Sequence, residues 1–402
     1  MTERKVVCCC MPEVSHFQRL LPLIEGLAVR GLSVTVLTDR RFRQEVVLSG
    51  AHFQDLFAAN SLEAADDESL PVPCRYVTYA ERNLDHVIAR IAAMDASLVV
   101  YDTFAVVAPL ASRELGLPHV NVCSGHNVEP RRFTEILKTD QRVKISHKCW
   151  AAAERLQRRF DDPELSPFCY VSLLSPVLNV YCEPETFLLD SERAPFEPLA
   201  FFGSLPTQRD PKPGAGSPAF GDEGGDQLCV YASFGTVVWR YYRDRAMHAL
   251  RVLSAAFRNR PNARLLIAMG GSGLSANELV CSNVEVEPYV DQLAVLDEAD
   301  LFVTHHGLNS THEAIARQVP MLSYPFFWDQ PALAERCQKL DLAVPLGEGP
   351  RADLSETDVV EALDAVESRM GVLQAGLAQA AQWEFDVVAA RDHVFDRIEG
   401  LL

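Results

Sequence analysis

A chain of 402 residues is too long for one typical hydrophobic core and points to two domains. Its apolar share of 48% is that of a globular protein. The net charge of −18 argues against a nucleic-acid partner, because phosphate backbones need a basic surface, and it disfavours docking on anionic lipid.

Lys5 to Cys10 is expected to form a buried first strand, with Cys8, Cys9 and Cys10 acting as small hydrophobes. The 11 cysteines are an odd number without a C-x-x-C pair, which excludes a zinc site or disulfide framework and places the chain in the cytoplasm. No apolar run is long enough to cross a bilayer, and the first residues have no secretory pattern. A loop carrying Ser15 and His16 precedes an apolar helical period from Phe17 to Arg30, closed by Gly31. Leu32 to Leu37 is the next strand. This β-α-β opening has no G-x-G-x-x-G turn, which disfavours an NAD(P) oxidoreductase.

Val99 to Phe104 reads as a strand with Asp102 at its C-terminal end, where parallel sheets gather their sites. Asp102 is a site carboxylate or a helix N-cap. His126, after Ser124 and Gly125, is an acceptor contact, a helper of the base or an ordinary loop residue. Residues 205–227 are rich in Pro, Gly and Asp, with no hydrophobic period, and read as a linker. Val230 to Ser233 is a strand that runs into a small turn at Gly235 and Thr236. Glu287 to Leu293 holds Tyr289, Val290 and Gln292. Leu301 to Thr304 is a buried strand. Behind it come His305, Gly307 as a sharp turn, and the helix starters Asn309, Ser310 and Thr311, with Glu313 to Arg317 continuing as helix. Free amides at such an N-terminus favour phosphate oxygens. Strands and helices alternate on both sides of the linker, the mark of an α/β fold.

The segment HHGLNSTHEAIARQVPMLSYPFFWDQ, His305 to Gln330, resembles the plant-type signature HCGWNSTLEAxxxGVPxxxxPxxxDQ of the UDP-glycosyltransferase family. The match is in register and without gaps. Three departures stand out. His306 replaces Cys or Gly and would alter the phosphate pocket, Leu308 replaces Trp, and Gln318 replaces Gly. The stretch around Tyr289 is similar to the family's W-x-P-Q, Ser233 to Thr236 to its S-f-G-S/T turn, and the His16-to-Gly31 interval to its opening. Ser15 stands there for Gly and Arg19 for Pro.

The resemblance implies a glycosyltransferase-B fold of two Rossmann-like, doubly wound parallel-sheet domains facing a cleft. Residues 1–205 would bind the acceptor, 206–227 would be the linker, and 228–380 would bind the nucleotide sugar. The final helix, 381–402, would pack back on the first domain through Trp383, Val387 and Val394. His305 with Asn309, Ser310 and Gly307 would hold the pyrophosphate, and Ser233, Gly235 and Thr236 would meet it from the other side. Glu313 would hold the ribose hydroxyls, and Asp329 with Gln330 the sugar. Tyr289 would stack on the base, Val290 would offer backbone groups to its edge, and Gln292 completes that segment.

His16 would be the general base, oriented by Asp102. The reaction implied is an inverting transfer from UDP-glucose, or second a dTDP-sugar, to a hydroxyl of a small natural product. Because no D-x-D triplet occurs, no metal or other cofactor is expected. The partners expected are the donor and acceptor only, with the protein a monomer or homodimer. Residues 60–79, 123–132 and 138–170, with Phe104 and His126, would line the acceptor site. A non-catalytic partner protein of the same fold and a sugar-nucleotide epimerase are the rival readings. The first would be expected to lack the base or phosphate ligands that this chain has.

Overall fold

A computed structural model describes residues 4–62, 74–126, 129–140, 142–205, 220 and 227–402. Two compact units divide the chain. One comprises residues 1–207 with 386–402, the other residues 208–385. Of the expected linker only Phe220 and Gln227 are described, and parts of the expected acceptor-lining segments (63–73, 127–128 and 141) lie outside the described residues.

The first unit holds one parallel sheet built from β1 (Lys5–Cys9), β2 (Ser33–Thr38), β3 (His52–Asp55), β4 (Leu98–Asp102), β5 (His119–Cys123), β6 (Leu178–Tyr181) and β7 (Leu199–Phe201). Its order is β3-β2-β1-β4-β5-β6-β7. Strands buried on both faces lose the alternation of half-exposed strands and become continuous apolar runs. The run Leu98, Val99, Val100 and Tyr101 is wholly buried. So are Cys8, Cys9 and Cys10, all with free thiols.

The helix after β1 spans Val14–Val29. It begins three residues before the apolar period, so His16 lies in its first turn rather than in a loop. The strand order reverses between β1 and β4, where Cys9 is level with Tyr101. Ligands of open α/β sheets bind at such switch points.

The second unit repeats the plan with β8 (Leu228–Ser233), β9 (Ala263–Ala268), β10 (Val284–Glu287), β11 (Leu301–Thr304), β12 (Met321–Ser323) and β13 (Ala343–Pro345), all parallel. The order β10-β9-β8-β11-β12-β13 puts its switch point between β8 and β11, where Thr304 is level with Ser233. Each unit is therefore a Rossmann-like, doubly wound sheet.

The C-terminal element differs from the expected single helix. A long helix runs Glu356–Ala389 and a separate one Arg391–Glu399. Trp383 and Val387 lie on the former and Val394 on the latter. The short helix docks within the first unit. There the Arg391 Nε donates to the Phe202 carbonyl at 2.8 Å, and Arg30 bonds Asp392, Asp396 and Glu399. Among the described residues no helix is long and apolar enough to cross a membrane.

Candidate active site

In the first unit the switch point carries a histidine–carboxylate pair. The His16 Nδ1 lies 2.5 Å from the Asp102 Oδ1. The Asp102 side chain is wholly buried, and that of His16 is 12% exposed. Asp102 is the last residue of β4 and not the N-cap of the following helix, whose cap is Val106. Phe104 stacks on the imidazole with centroids 4.0 Å apart and an angle of 26°. It is itself 8% exposed and ringed by Tyr76 and Tyr170, so it supports the His16 ring from behind. An Nδ1–H held by a buried carboxylate fixes the tautomer and leaves Nε2 as the ring atom that could exchange a proton.

A second pair lies farther along the same sheet edge. The His126 Nδ1 is 2.8 Å from the Glu183 Oε2, both buried.

In the second unit Ser233 ends β8 and His305 follows β11. The Ser233 Oγ accepts from the Gly235 N–H at 3.3 Å. His305 is wedged between two glycines. A Cβ on Gly235 would stand 2.8 Å from its Nε2, and one on Gly307 would stand 2.5 Å away. Burial pushes the pKa of His305 down to about 4, against the opposing pull of the Ser233 backbone. The ring is neutral near pH 7 and carries one donor.

The turn itself departs from expectation. Gly307 is extended, with φ −64° and ψ 139°, and is the N-cap of a helix that begins at Leu308. The left-handed residue is His306, with φ +58°. Gly307 is thus needed for the space it leaves the His305 ring, not for its backbone freedom. Gln318, the other replaced glycine, also has a left-handed φ of +55°. Such a conformation costs a side-chain-bearing residue roughly 1–2 kcal/mol. The expected effect of His306 on the phosphate pocket is corrected too. Its ring is fully buried and bonded to the Thr311 Oγ1 at 3.2 Å and the Ser323 Oγ at 2.8 Å, inside the unit.

Gln292 gathers the next group. Its Nε2 donates to the Glu313 Oε2 at 2.6 Å and the Ser310 Oγ at 3.1 Å, while its Oε1 accepts from the Tyr231 hydroxyl at 3.2 Å. Ser310 and Glu313 are one turn apart on the helix Leu308–Ala316, so one amide orients both. Tyr289 is 69% exposed. Its hydroxyl end rests where a Gly271 Cβ would be, 1.7 Å away. Val290 is half-buried beside it, and Thr236 is exposed at the tip of its turn. Asn309 and Asp329 are half-buried. The Gln330 Oε1 accepts from the N–H groups of Phe326 and Phe327, which fixes the loop and turns the amide nitrogen to other duty.

The sequence reading missed Tyr231, Glu183 and the turn Gly270-Gly271. That turn packs a glycine against the Gly235 carbonyl, where a Cβ on Gly270 would be 2.1 Å away. A glycine run directly after an apolar strand was the available signal.

Residues 184–369 match the family described as UDP-glucoronosyl and UDP-glucosyl transferase. This match takes in a little under half of the chain and includes the segment from His305 to Gln330. The NDP-glycosyltransferase YjiC of Bacillus subtilis (strain 168) is 23% identical over 90% of the chain and 89% of its own length. The oleandomycin glycosyltransferase of Streptomyces antibioticus is 30% identical over 51% of the chain and 46% of its own. Among solved structures, the glycotransferase of kitacinnamycin shares the fold with a TM-score of 0.79 at 22% identity, covering 99% of this chain and 100% of that one. The chain thus carries a histidine–carboxylate pair at one switch point and a glycine-lined histidine beside a helix N-terminus at the other.

Proposed function

We propose that this protein is a glycosyltransferase that moves a sugar from a nucleotide diphosphate sugar to a hydroxyl of a small natural product, with inversion at the anomeric carbon. The acceptor is assigned to the first unit and the donor to the second. The observation that carries the reading is the His16–Asp102 pair at 2.5 Å. The His16 Nε2 takes the proton of the acceptor hydroxyl as its oxygen bonds to C1 of the sugar. The bond from C1 to the phosphate oxygen breaks, and the diphosphate leaves from the opposite face. Asp102 stabilises the imidazolium that forms.

On the donor side, the amides opening the helix Leu308–Ala316 and the neutral N–H of His305 meet the charge that grows on the leaving phosphate. Glu313, oriented by Gln292, takes the ribose hydroxyls. Tyr289 offers a ring face to the base, an exposure that a bound nucleotide would cover. Asp329 and the Gln330 amide take sugar hydroxyls. UDP-glucose is the first donor by this reading, in keeping with the family's description, and a dTDP-sugar the second. A natural-product acceptor fits the name of the oleandomycin relative. The reading is metal-independent because the sequence has no D-x-D triplet, and it is cytoplasmic because all 11 thiols are free. The presence of His16, Asp102, His305 and Glu313 in these arrangements favours an enzyme over a non-catalytic partner.

Calorimetry and melting curves with UDP, dTDP and GDP test the donor half. Stabilisation by UDP or dTDP is the expected result, and stabilisation by none of the three would overturn the phosphate assignment. Transfer from the matching sugar nucleotide to an acceptor panel tests the reaction.

A further inference from the structure

The first unit buries a second histidine–carboxylate pair that the proposed reaction does not use. His126 stands three residues beyond β5 and Glu183 two beyond β6, their Nδ1 and Oε2 2.8 Å apart. The carboxylate is wholly buried, and the His126 side chain is 8% exposed. Excluding a carboxylate from water costs several kcal/mol, and a well-packed apolar pair would stabilise such a place as well or better. Burial of such a pair is by itself weak evidence of a stabilising role.

Its position supplies a reason. β4, which ends in Asp102, is level with β5 at Val122, and Val122 is level with Val180 of β6. His16, Asp102, His126 and Glu183 thus all lie at one carboxyl edge of one parallel sheet, the edge at which such sheets bind ligands. The strand ends leading to His16 and His126 are two strand spacings apart, about 10 Å. Cys182 stands directly before Glu183. Its thiol is pushed up to about 12 first by burial, and Glu183 and Asp102 both add to that rise against Arg19 and Arg391. Both histidines present Nδ1 to their carboxylate, so each would meet a ligand through Nε2.

We infer that His126, held by Glu183, is a second acceptor-binding group that accepts a hydrogen bond from a hydroxyl remote from the one that reacts at His16. The acceptor class is then a molecule with hydroxyl groups at two separated positions. This rests on the proposed transferase reading, with His16 as the base. His126 binds and orients the acceptor, and Glu183 positions His126.

The test uses the full chain and two stilbene probes of one shape. One is 4-hydroxystilbene, and the other, 4,4′-dihydroxystilbene, has a hydroxyl at each end. The wild type is expected to favour the second in kcat/KM by about 10-fold, the worth of one hydrogen bond of some 1.4 kcal/mol. In His126→Gln and in Glu183→Gln that ratio is expected to fall towards about two, the statistical value for a probe with two equivalent reacting ends, through the KM of the two-hydroxyl probe rather than kcat. The melting shift produced by UDP or dTDP is expected to stay at the wild-type value. No preference beyond the statistical value in the wild type, or one that survives in both variants, would overturn the inference and leave the transferase reading standing. Unfolding of both variants would make the pair structural and overturn it as well. Transfer to neither probe by a wild type that still binds nucleotide would remove support from the acceptor half of the transferase reading, and this inference would fall with it.

Discussion

The switch points of the two sheets each carry a histidine, and the two surroundings treat the same ring in opposite ways. At the first, the His16 imidazole keeps some exposure and is given a buried carboxylate at 2.5 Å. At the second, His305 is enclosed between two glycines, and burial pushes its pKa down to about 4. A partnered ring is ready to accept a proton and to carry the charge that follows. A desolvated ring resists the charge and remains a neutral donor. Histidine identity and loop position therefore do not define a role. What defines it is whether the fold supplies an anion or withholds water.

The largest effect expected from breaking this contrast is on transfer. His16→Ala should cost roughly 10²–10⁴-fold in kcat with nucleotide affinity retained. Steady-state rates and calorimetry on the same preparation check both halves, and undiminished transfer would remove His16 as base. Asp102→Asn should also lose transfer, by removing the group that fixes the tautomer.

The next effect is on stability. An ordinary histidine titrates at 6.5 and His305 at about 4. Between those values the unfolded chain binds a proton that the folded chain refuses. Stability is therefore full above pH 6.5 and declines as pH falls towards 4, by about 3 kcal/mol. Denaturant titrations across that window should show a shallower decline in His305→Asn. Equal slopes would contradict the neutral, desolvated ring.

A smaller loss is expected from Gly307→Ala. Its Cβ would stand 2.5 Å from the His305 Nε2, so the ring must move. Nucleotide affinity should fall about 10-fold, or about 1.4 kcal/mol, while the His16 pair is untouched. Calorimetry with UDP reads this directly, and unchanged affinity would separate His305 from the phosphate. Smallest is His306→Asn, which keeps a residue tolerant of left-handed backbone but gives up bonds to Thr311 and Ser323. A destabilisation of about 1 kcal/mol is expected, with nucleotide affinity held. A matching loss of affinity would show that the adjacent histidines share one role.

Much of this was legible beforehand. β11 was read at its observed limits, Leu301–Thr304, because a strand buried on both faces is an unbroken apolar run. The residues from His305 to Gln330 were legible as a site because a turn, a helix start and an acid–amide pair stand at fixed offsets along one piece of chain. Legibility failed where a role depends on a distant partner. Gly307 was read as a turn residue, yet its missing Cβ serves a neighbouring ring. His306 was expected to alter the phosphate pocket, yet its ring is bonded inside the unit to the hydroxyls of Thr311 and Ser323. The pairing of His126 with Glu183, 57 residues away, had no local signal.

The alternation of strand and helix, the two-unit plan and the list of chemically able side chains are written along the chain, because periodicity and turn chemistry act over a few residues. Which of those side chains meet is set by folding. Parallel sheets bring strand ends together from positions as distant as His16 and Asp102, 86 residues apart. At those ends burial, not residue type, sets the charge a ring can hold.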